Sequence, residues 1–295
     1  MGGKGREQAS LDVESGAILV NRAKRAVVKP RQLGACVVTG TEKIRSGFGN
    51  GDCLMLDFRN LVFAASDATE RFPAASYALL SRLADRLARD GAPENEANWR
   101  ELLSAVYEPQ EYHQKATLSC VAIRREEGGT KAFVSQGGDS IVLLVNLETR
   151  RVEYATSADM CFAGRARELL RIEEVPVGKQ GYSFLIASDG ITDAARLAGR
   201  TLERISGSVL SRLPIHEIPG GLAEYLAGLR APAEYDDVGL IVFSATELEA
   251  ANQPTVLVGG TSPAEESAHS RGVSENLIAD IWTTLADSEG RVVRI

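Results

Sequence analysis

Residues 184–193 read Phe-Leu-Ile-Ala-Ser-Asp-Gly-Ile-Thr-Asp, an apolar run that stops at Ser188-Asp189-Gly190. Short apolar runs bounded by Ser, Asp or Gly are typical of β-strands. Asp189 therefore stands at the rim of a predicted buried strand, where its carboxylate is partly removed from water. A carboxylate in that position is unfavourable unless it is paired or bound to a cation, so its placement indicates a partner.

Four further aspartates stand where a predicted strand begins or ends, or at a tight turn between strands; they are Asp52, Asp67, Asp139 and Asp236. Any one of them alone is more often a turn or cap residue. If several of these strand ends meet in the fold, their carboxylates form a pocket lined only by oxygen atoms, in which the like charges repel unless a divalent ion lies between them. Oxygen ligands without Cys or His select Mg²⁺ or Mn²⁺ over Zn²⁺. Spacing alone does not establish that these rims meet.

Strand-like runs occupy much of the chain; they are 34–39, 53–58, 61–65, 117–124, 131–135, 140–146, 151–155, 182–187 and 238–244. Helical periodicity is limited to two blocks, 73–107, which begins with Pro73, and 200–229. The order does not follow regular βαβ alternation. We therefore expect an α+β fold, in which mainly antiparallel sheets are covered by helices.

The chain divides into three predicted parts. Residues 1–30 form an N-terminal arm with one apolar patch, and residues 31–246 form a single domain. Residues 247–295 begin as a linker rich in Ala, Glu, Ser, Gly and Pro, a composition that continues through residue 273. An amphipathic C-terminal helix follows this linker.

Composition is that of an ordinary globular protein, with 295 residues of which 44% are hydrophobic and 25% charged. The net charge of −7 and the pI near 5.2 argue against a general nucleic-acid binder. The N-terminus lacks a signal-peptide core and no run approaches about 18 apolar residues, so we expect a cytoplasmic protein without a membrane segment. Its four cysteines and three histidines are scattered, which disfavours thiolate zinc sites and histidine-centred chemistry.

Four segments of the chain follow one another in a recognisable order; they are Ser66-Asp67-Ala68-Thr69-Glu70, Gly138-Asp139-Ser140, Ala187-Ser188-Asp189-Gly190-Ile191-Thr192-Asp193 and Asp236-Asp237-Val238. In residues and in order they resemble the motifs of the metal-dependent protein phosphatase family (PPM, or protein phosphatase 2C). The stretch 115–121 also resembles a Thr-Thr-Leu strand of that family. This resemblance covers residues 34–244, and the Ser-Asp-Gly-Ile-Thr-Asp segment is its most specific part.

The resemblance implies a four-layer α/β/β/α sandwich and a metal-dependent hydrolysis of phosphoserine or phosphothreonine in a phosphorylated protein. It implies two Mg²⁺ or Mn²⁺ ions and a weaker third position. By this analogy Asp67 bridges both ions and the carbonyl of Ala68 contacts one, Asp189 and Asp236 hold the other, and Asp139 with Asp189 marks the third. Metal ions about 3.5–4 Å apart lower the pKa of a bridging water and clamp the phosphate, so no protein nucleophile is required.

Asp52 falls where the family has an acidic residue near the metal-bound waters, and Arg45 is the nearest candidate for binding phosphate. The chain departs from the family pattern at three positions. Gly51 stands where Glu is common, which removes one carboxylate that could hold water. Ala68 replaces Gly, a change that a backbone ligand tolerates while φ stays negative. Glu70 stands near the place where animal members have His, and it either substitutes for that acid or caps the next helix.

Alternative functions follow from the same residues. The Asp189-Gly190 segment also resembles haloacid-dehalogenase phosphatases, but Ala187 replaces their nucleophilic aspartate, so the aspartyl-phosphate route fails. A catalytically weak pseudophosphatase, acting as a binding or regulatory module, is the main alternative and is supported by Gly51 and by the absence of the His that animal members have. Retention of Asp67 with Asp189 and Asp236 opposes it, because a cluster of rim carboxylates without a cation destabilises the fold. A small-molecule phosphoesterase is the third possibility.

Two segments have alternative interpretations. Ser274 can cap the amphipathic C-terminal helix, which either packs on the chain's own domain or docks a partner protein. The segment between Thr156 and Gly181 is either a mobile flap that shapes substrate choice or an ordinary surface loop with a short helix.

Overall fold

Strands outnumber helices in the part of the chain that the structure, a computed structural model, describes: residues 10–13, 16–21, 25–28, 32–41, 43, 49–107, 116–157, 170–178, 181–197, 199, 214–218, 221, 234–270, 285–286 and 292–294. The strands are β1 (Ser10–Val13), β2 (Gly16–Asn21), β3 (Arg25–Val28), β4 (Leu33–Val38), β5 (Cys53–Asp57), β6 (Val62–Ser66), β7 (Leu118–Glu126), β8 (Gly129–Gly137), β9 (Ile141–Asn146), β10 (Arg151–Ala155), β11 (Arg171–Val177), β12 (Tyr182–Ala187), β13 (Val238–Ser244), β14 (Thr255–Gly259), β15 (Leu285–Ala286) and β16 (Val292–Arg294). The helices are α1 (Ala74–Asp90), α2 (Glu96–Tyr107), α3 (Gly190–Leu197) and α4 (Pro263–Ser270), with a 3₁₀-helix at Ile215–Glu217.

Two large sheets carry most of these strands. The five-stranded sheet has the order β10-β9-β12-β13-β4, and the eight-stranded sheet has the order β11-β8-β7-β6-β5-β14-β16-β15. The described pairings in both sheets are antiparallel except that of β14 with β16. In the region predicted as an N-terminal arm, β1, β2 and β3 form a separate antiparallel sheet.

Three apolar layers hold the two large sheets and their helices together. Between the sheets, the ring of Phe243 lies 4.5 Å from that of Phe63 and 5.6 Å from that of Phe184, measured between centroids. A second layer, which includes Trp99, packs α1 and α2 on the outer face of the larger sheet. A third layer, which includes Ile191, packs α3 on the outer face of the smaller sheet. The predicted α+β class with four α/β/β/α layers is therefore confirmed.

The predicted strands agree closely with those observed. Each of the nine is present with ends within about two residues of the expected bounds, the scatter usual for such boundaries. The block 73–107 contains α1 and α2, and Gly91 ends α1 with φ of +74° while its N–H donates to the carbonyl of Leu87. Most of the second predicted helical block, 200–229, lies outside the described residues. None of the described helices is long and apolar enough to cross a membrane.

Several elements in the second half of the chain differ from the expectation. β11 pairs with β8 inside the segment for which a flap or a surface loop was predicted, while residues 158–169 of that segment lie outside the described residues. β14 pairs with β5, and residues 256–258 are almost fully buried, so the linker prediction is wrong for 255–259. It is also wrong for Pro263–Ser270, which form α4. Most of the C-terminal helix predicted from Ser274, with its suggested partner docking, lies outside the described residues. The described residues Leu285–Ala286 form β15, so the helix prediction is wrong there.

Candidate metal centre

The end of β12 and the start of β13 bring two of the predicted ligands together. These strands are antiparallel neighbours, with Ala187 opposite Leu240. Past that pair, the N–H of Ser188 donates to the carbonyl of Gly239 at 3.0 Å. Asp189, which follows β12, and Asp236, which precedes β13, therefore lie at the same rim of the five-stranded sheet.

The larger sheet supplies a second pair at the same end of the sandwich. β5 and β6 are antiparallel, with Cys53 opposite Ser66, so that Asp52 just before β5 lies beside Asp67 just after β6. A hydrogen bond joins the two sheets here, because the hydroxyl of Ser188 donates to Oδ2 of Asp52 at 2.6 Å. The strand ends that carry these aspartates are far apart in the sequence, but they meet at one end of the sandwich.

Asp237 crosslinks the loops around this rim and was not predicted as a site residue. Its buried carboxylate accepts the backbone N–H of Gly40 at 2.8 Å on Oδ1 and that of Gly51 at 2.7 Å on Oδ2. Burial raises the pKa of Asp237 to about 6, although these two N–H donors act in the opposite direction. Asp237 thus positions the segment that leads into Asp52. The side chain of its neighbour Asp236 is more exposed, at 39%.

Gly51 is where the chain departs from the family pattern, and the structure supplies a steric reason. A Cβ atom on Gly51 would stand 2.8 Å from the carbonyl oxygen of Ala68 and 3.2 Å from Oδ1 of Asp67. Ala68 also donates its N–H to the carbonyl of Gly51, which accepts the hydroxyl of Ser76 as well. This backbone leaves no room for a side chain at residue 51 unless Ala68 moves.

Asp52 is buried with one unsatisfied oxygen. The residue is 1% exposed, Oδ2 accepts the Ser188 hydroxyl, and Oδ1 has no hydrogen-bond partner. Burial raises the pKa of Asp52 well above its usual value, and the carboxylates of Asp67 and Asp237 raise it further. An orphaned carboxylate oxygen of this kind is unfavourable in the interior and indicates that a water or a cation belongs beside it.

The remaining rim carboxylates perturb one another. Burial raises the pKa of Asp67 well above its usual value, and the negative charges of Asp189, Asp236 and Asp237 raise it further. Burial also raises the pKa of Asp189 to about 6, and Asp139 is the largest charge acting on it. Charges influence one another this strongly only at short range and in a partly desolvated setting.

Thr117 fixes Asp67 on the larger sheet. The N–H of Asp67 donates to Oγ1 of Thr117 at 2.9 Å, and the N–H of Thr117 donates to the carbonyl of Asp67 at 2.7 Å. Oγ1 of Thr117 also lies 2.5 Å from the hydroxyl oxygen of Ser140, the residue after Asp139. Thr117 therefore links the Asp67 segment to the Asp139 turn.

Lys43 is a cation inside this group of acids that the sequence did not reveal. Its Nζ lies 3.5 Å from Oδ1 of Asp236, and its side chain is only 8% exposed. Burial lowers the pKa of Lys43, but the charges of Asp236, Asp237 and Asp67 outweigh it, so the net pKa is raised. The ammonium group therefore stays protonated at the rim.

Most of the predicted site residues lie together at this end of the sandwich; they are Asp52, Asp67, Ala68, Asp139, Asp189 and Asp236. Arg45 lies outside the described residues, and Glu70 is exposed in the turn before α1. Lys43, Asp237, Ser188 and Thr117 are the functional candidates that sequence reasoning missed.

The donor set fits Mg²⁺ or Mn²⁺ in chemistry, because it consists of carboxylates and a backbone carbonyl and includes the orphaned Oδ1 of Asp52. Within the described residues, no group of three or more His, Cys, Asp or Glu side chains is drawn close enough together to enclose one ion. The side chains thus share a rim and interact electrostatically without forming a closed coordination shell.

No family model and no curated protein matches the chain, whereas solved structures do. A bacterial serine phosphatase carrying a point substitution is 18% identical with a TM-score of 0.57, covering 73% of this chain and 99% of its own. The PPM Ser-Thr phosphatase MsPP of Mycobacterium smegmatis, in complex with cacodylate, is 16% identical with a TM-score of 0.52, covering 72% and 97%. The chain has a PPM-type phosphatase fold.

RsbX, solved in complex with magnesium, has the same fold, with 16% identity, a TM-score of 0.52 and coverage of 74% of this chain and 98% of its own. Identities of this size show shared architecture. The PPM-type fold that the motif order predicted is therefore confirmed by geometry, over most of the length of each matched structure.

Proposed function

We propose that this chain is a metal-dependent phosphatase that hydrolyses phosphoserine and phosphothreonine in proteins. The observation that supports this most is the meeting of carboxylates from both sheets, Asp67 from one and Asp189 with Asp236 from the other, at the end of the sandwich where the Ser188–Asp52 hydrogen bond joins the sheets. Like charges held at a partly buried rim destabilise the fold, and a divalent cation offsets that repulsion.

Asp67, Asp189 and Asp236, with the carbonyl of Ala68, are the groups that would hold the ions, and Asp139 is a candidate for a further position. When bound, such ions lower the pKa of a coordinated water and neutralise charge on the phosphate. No Cys or His nucleophile enters the proposal.

The chain's own residues prepare this centre. Thr117 holds the backbone of Asp67, and Ser188 holds one oxygen of Asp52. The second oxygen, Oδ1 of Asp52, is left to accept a hydrogen bond from a water at the centre. Asp52 is thereby proposed to orient water, the role that its sequence position suggested.

A non-catalytic binding module is the second candidate, and two observations favour it. Lys43 already pairs with Asp236, and the backbone at Gly51 excludes the carboxylate that the family often places there. Both features reduce the negative charge available to a metal pair. Such a pseudophosphatase would keep the sandwich and bind phosphoproteins without turnover.

Hydrolysis of p-nitrophenyl phosphate with and without Mn²⁺ separates the two. A phosphatase shows Mn²⁺-dependent turnover that EDTA abolishes, and Asp189→Asn lowers kcat by at least about 100-fold, since even outer partners of metal ligands typically contribute 10–100-fold. The matched control is Asp85→Asn, an identical change on the exposed face of α1, which should keep full activity. Turnover that is absent with Mn²⁺, or that survives in Asp189→Asn, would favour the binding module.

Substrate class is tested on the same preparation. Phosphoserine and phosphothreonine peptides should be hydrolysed with a higher kcat/KM than sugar phosphates or nucleotides. The opposite ranking would identify a small-molecule phosphoesterase built on the same centre.

A further inference from the structure

Lys43 is an unusual neighbour for a proposed metal ligand. Its ammonium nitrogen lies 3.5 Å from Oδ1 of Asp236, its side chain is 8% exposed, and that of Asp236 is 39% exposed. A lysine side chain this strongly buried keeps its charge without a large free-energy cost only if nearby carboxylates compensate it. Lys43 is therefore held in place by the acidic cluster itself.

The ammonium group also feels the carboxylates on both sheets. Asp67 of the larger sheet and Asp237 of the smaller sheet both favour its charged form, and Glu70 adds to them. The positive charge of Lys43 in turn lowers the pKa of Asp67, against the neighbouring carboxylates that raise it. One positive charge thus neutralises part of the rim, at the position where the proposed function requires a divalent ion.

We propose that Lys43 is a built-in counter-cation of this centre, which occupies Asp236 in the metal-free protein and must leave that carboxylate before a divalent ion binds there. The inference rests on the proposed metal-dependent function and adds a competition within the site. Because ion binding must break the Lys43–Asp236 pair, metal affinity is lower than the carboxylates alone would provide. In exchange, the metal-free fold is protected from repulsion among its acids.

Calorimetric titration with Mn²⁺ tests the competition directly. Lys43→Met removes the charge while keeping an apolar stem of similar length, and it should bind Mn²⁺ about tenfold more tightly than the wild type, which corresponds to about 1.4 kcal/mol of binding free energy. Lys43→Arg keeps the charge and should stay near the wild-type affinity. Lys131→Met is the matched control, because Lys131 is a lysine on β8 whose side chain is 40% exposed and which pairs with Glu126 and Glu174.

Thermal unfolding supplies a readout that does not depend on turnover. In EDTA, Lys43→Met should unfold at a lower temperature than the wild type, since the acids lose their counter-cation. In saturating Mn²⁺ the difference should shrink or reverse. Equal or weaker Mn²⁺ binding by Lys43→Met, or a Tm in EDTA no lower than that of the wild type, would overturn the inference.

A measurement on the unaltered protein covers the case in which Lys43→Met does not fold. Acetylation by an N-hydroxysuccinimide ester, read at each lysine by mass spectrometry, should be faster at Lys43 when Mn²⁺ is present, because the amine has been released from Asp236. Labelling of Lys131 serves as the internal reference and should not change. A Lys43 rate that is unchanged or slower in Mn²⁺ would contradict the proposal.

These outcomes separate the two hypotheses. If neither the wild type nor Lys43→Met binds Mn²⁺, both the proposed function and the counter-cation fail. If both proteins bind Mn²⁺ but the variant binds no more tightly, the Lys43 inference alone fails.

Discussion

At the scale of single residues, Gly51 shows that a departure from a motif can be a packing constraint. Its α-carbon faces the carbonyl of Ala68, and a Cβ atom there would approach that oxygen to 2.8 Å. We expect Gly51→Ala to lower stability by about 1–3 kcal/mol, the usual effect of overpacking. Gly128→Ala is the control, because nothing lies within 4 Å of a Cβ at that position. Urea denaturation measures both, and equal stability of the two variants would contradict the packing explanation.

The acidic rim also predicts how the metal-free protein responds to pH. Burial, with the charge of Asp139, raises the pKa of Asp189 from 3.8 to about 6, so the folded state holds its proton more tightly than the unfolded chain. This contribution to stability is complete below the unfolded pKa and is lost as pH rises through about 6. In EDTA, calorimetry should therefore give a higher Tm at pH 5 than at pH 7.5, with a smaller difference in Asp189→Asn. A wild-type Tm that is equal or higher at pH 7.5 would contradict it.

The sequence was sufficient to find the aspartates of the rim but not the residues that organise them. Asp67 and Asp189 end apolar runs and are visible in a local window. Lys43 and Asp237 have no such signal, since Lys43 meets Asp236 across almost 200 positions of chain and Asp237 meets Gly40 and Gly51 across similar separations. Such contacts depend on strand order, which local pattern does not determine.

At the scale of elements, β14 is a strand that lies beyond the predicted end of the domain, at residue 246. It pairs with the edge of β5, and residues just after it contact the site, since the N–H of Gly260 donates to the carbonyl of Asp52 and the hydroxyl of Thr261 donates to the carbonyl of Asn50. We propose that the domain runs through this strand. β14 would then support the backbone around Asp52.

Substitution of a buried leucine in β14 tests this boundary. Leu257 is 1% exposed and packs with the helices on the larger sheet, so Leu257→Ala should lower the free energy of unfolding by about 2–5 kcal/mol. Leu197→Ala, the same change at a leucine that is 37% exposed in α3, should have little effect. Urea denaturation monitored by tryptophan fluorescence compares them. A leucine in a linker would tolerate the change, so similar midpoints for both variants would restore the linker interpretation.

Two of the strands that were missed, β11 and β14, have weak local signals for identifiable reasons. β11 is an edge strand with the sequence Arg-Ile-Glu-Glu-Val-Pro-Val, in which polar side chains face solvent and Pro176 is tolerated because the strand lies at the sheet edge. β14 is five residues long and is set in a region rich in Ala, Glu, Ser and Pro. In contrast, most of the nine predicted strands are buried and apolar, and all nine are present, including β10 at the edge of the smaller sheet.

At the scale of the whole molecule, the candidate centre depends on the stacking of both sheets. The phenylalanines between them set the separation, and the Ser188–Asp52 hydrogen bond marks where the two rims touch. Neither sheet alone has the carboxylates that the proposal requires. Any ion held by Asp67 together with Asp189 therefore binds the folded sandwich and not the unfolded chain, which couples metal binding to stability.

Crystals grown with Mn²⁺ and measured near the manganese absorption edge would show whether the two sheets share one metal centre. The anomalous map should show manganese at the rim, coordinated by Asp67 from one sheet and by Asp189 or Asp236 from the other. Crystals of Asp189→Asn should lose an ion there. Well-ordered wild-type crystals with no manganese at that rim, or with manganese held elsewhere by other residues, would contradict the central claim.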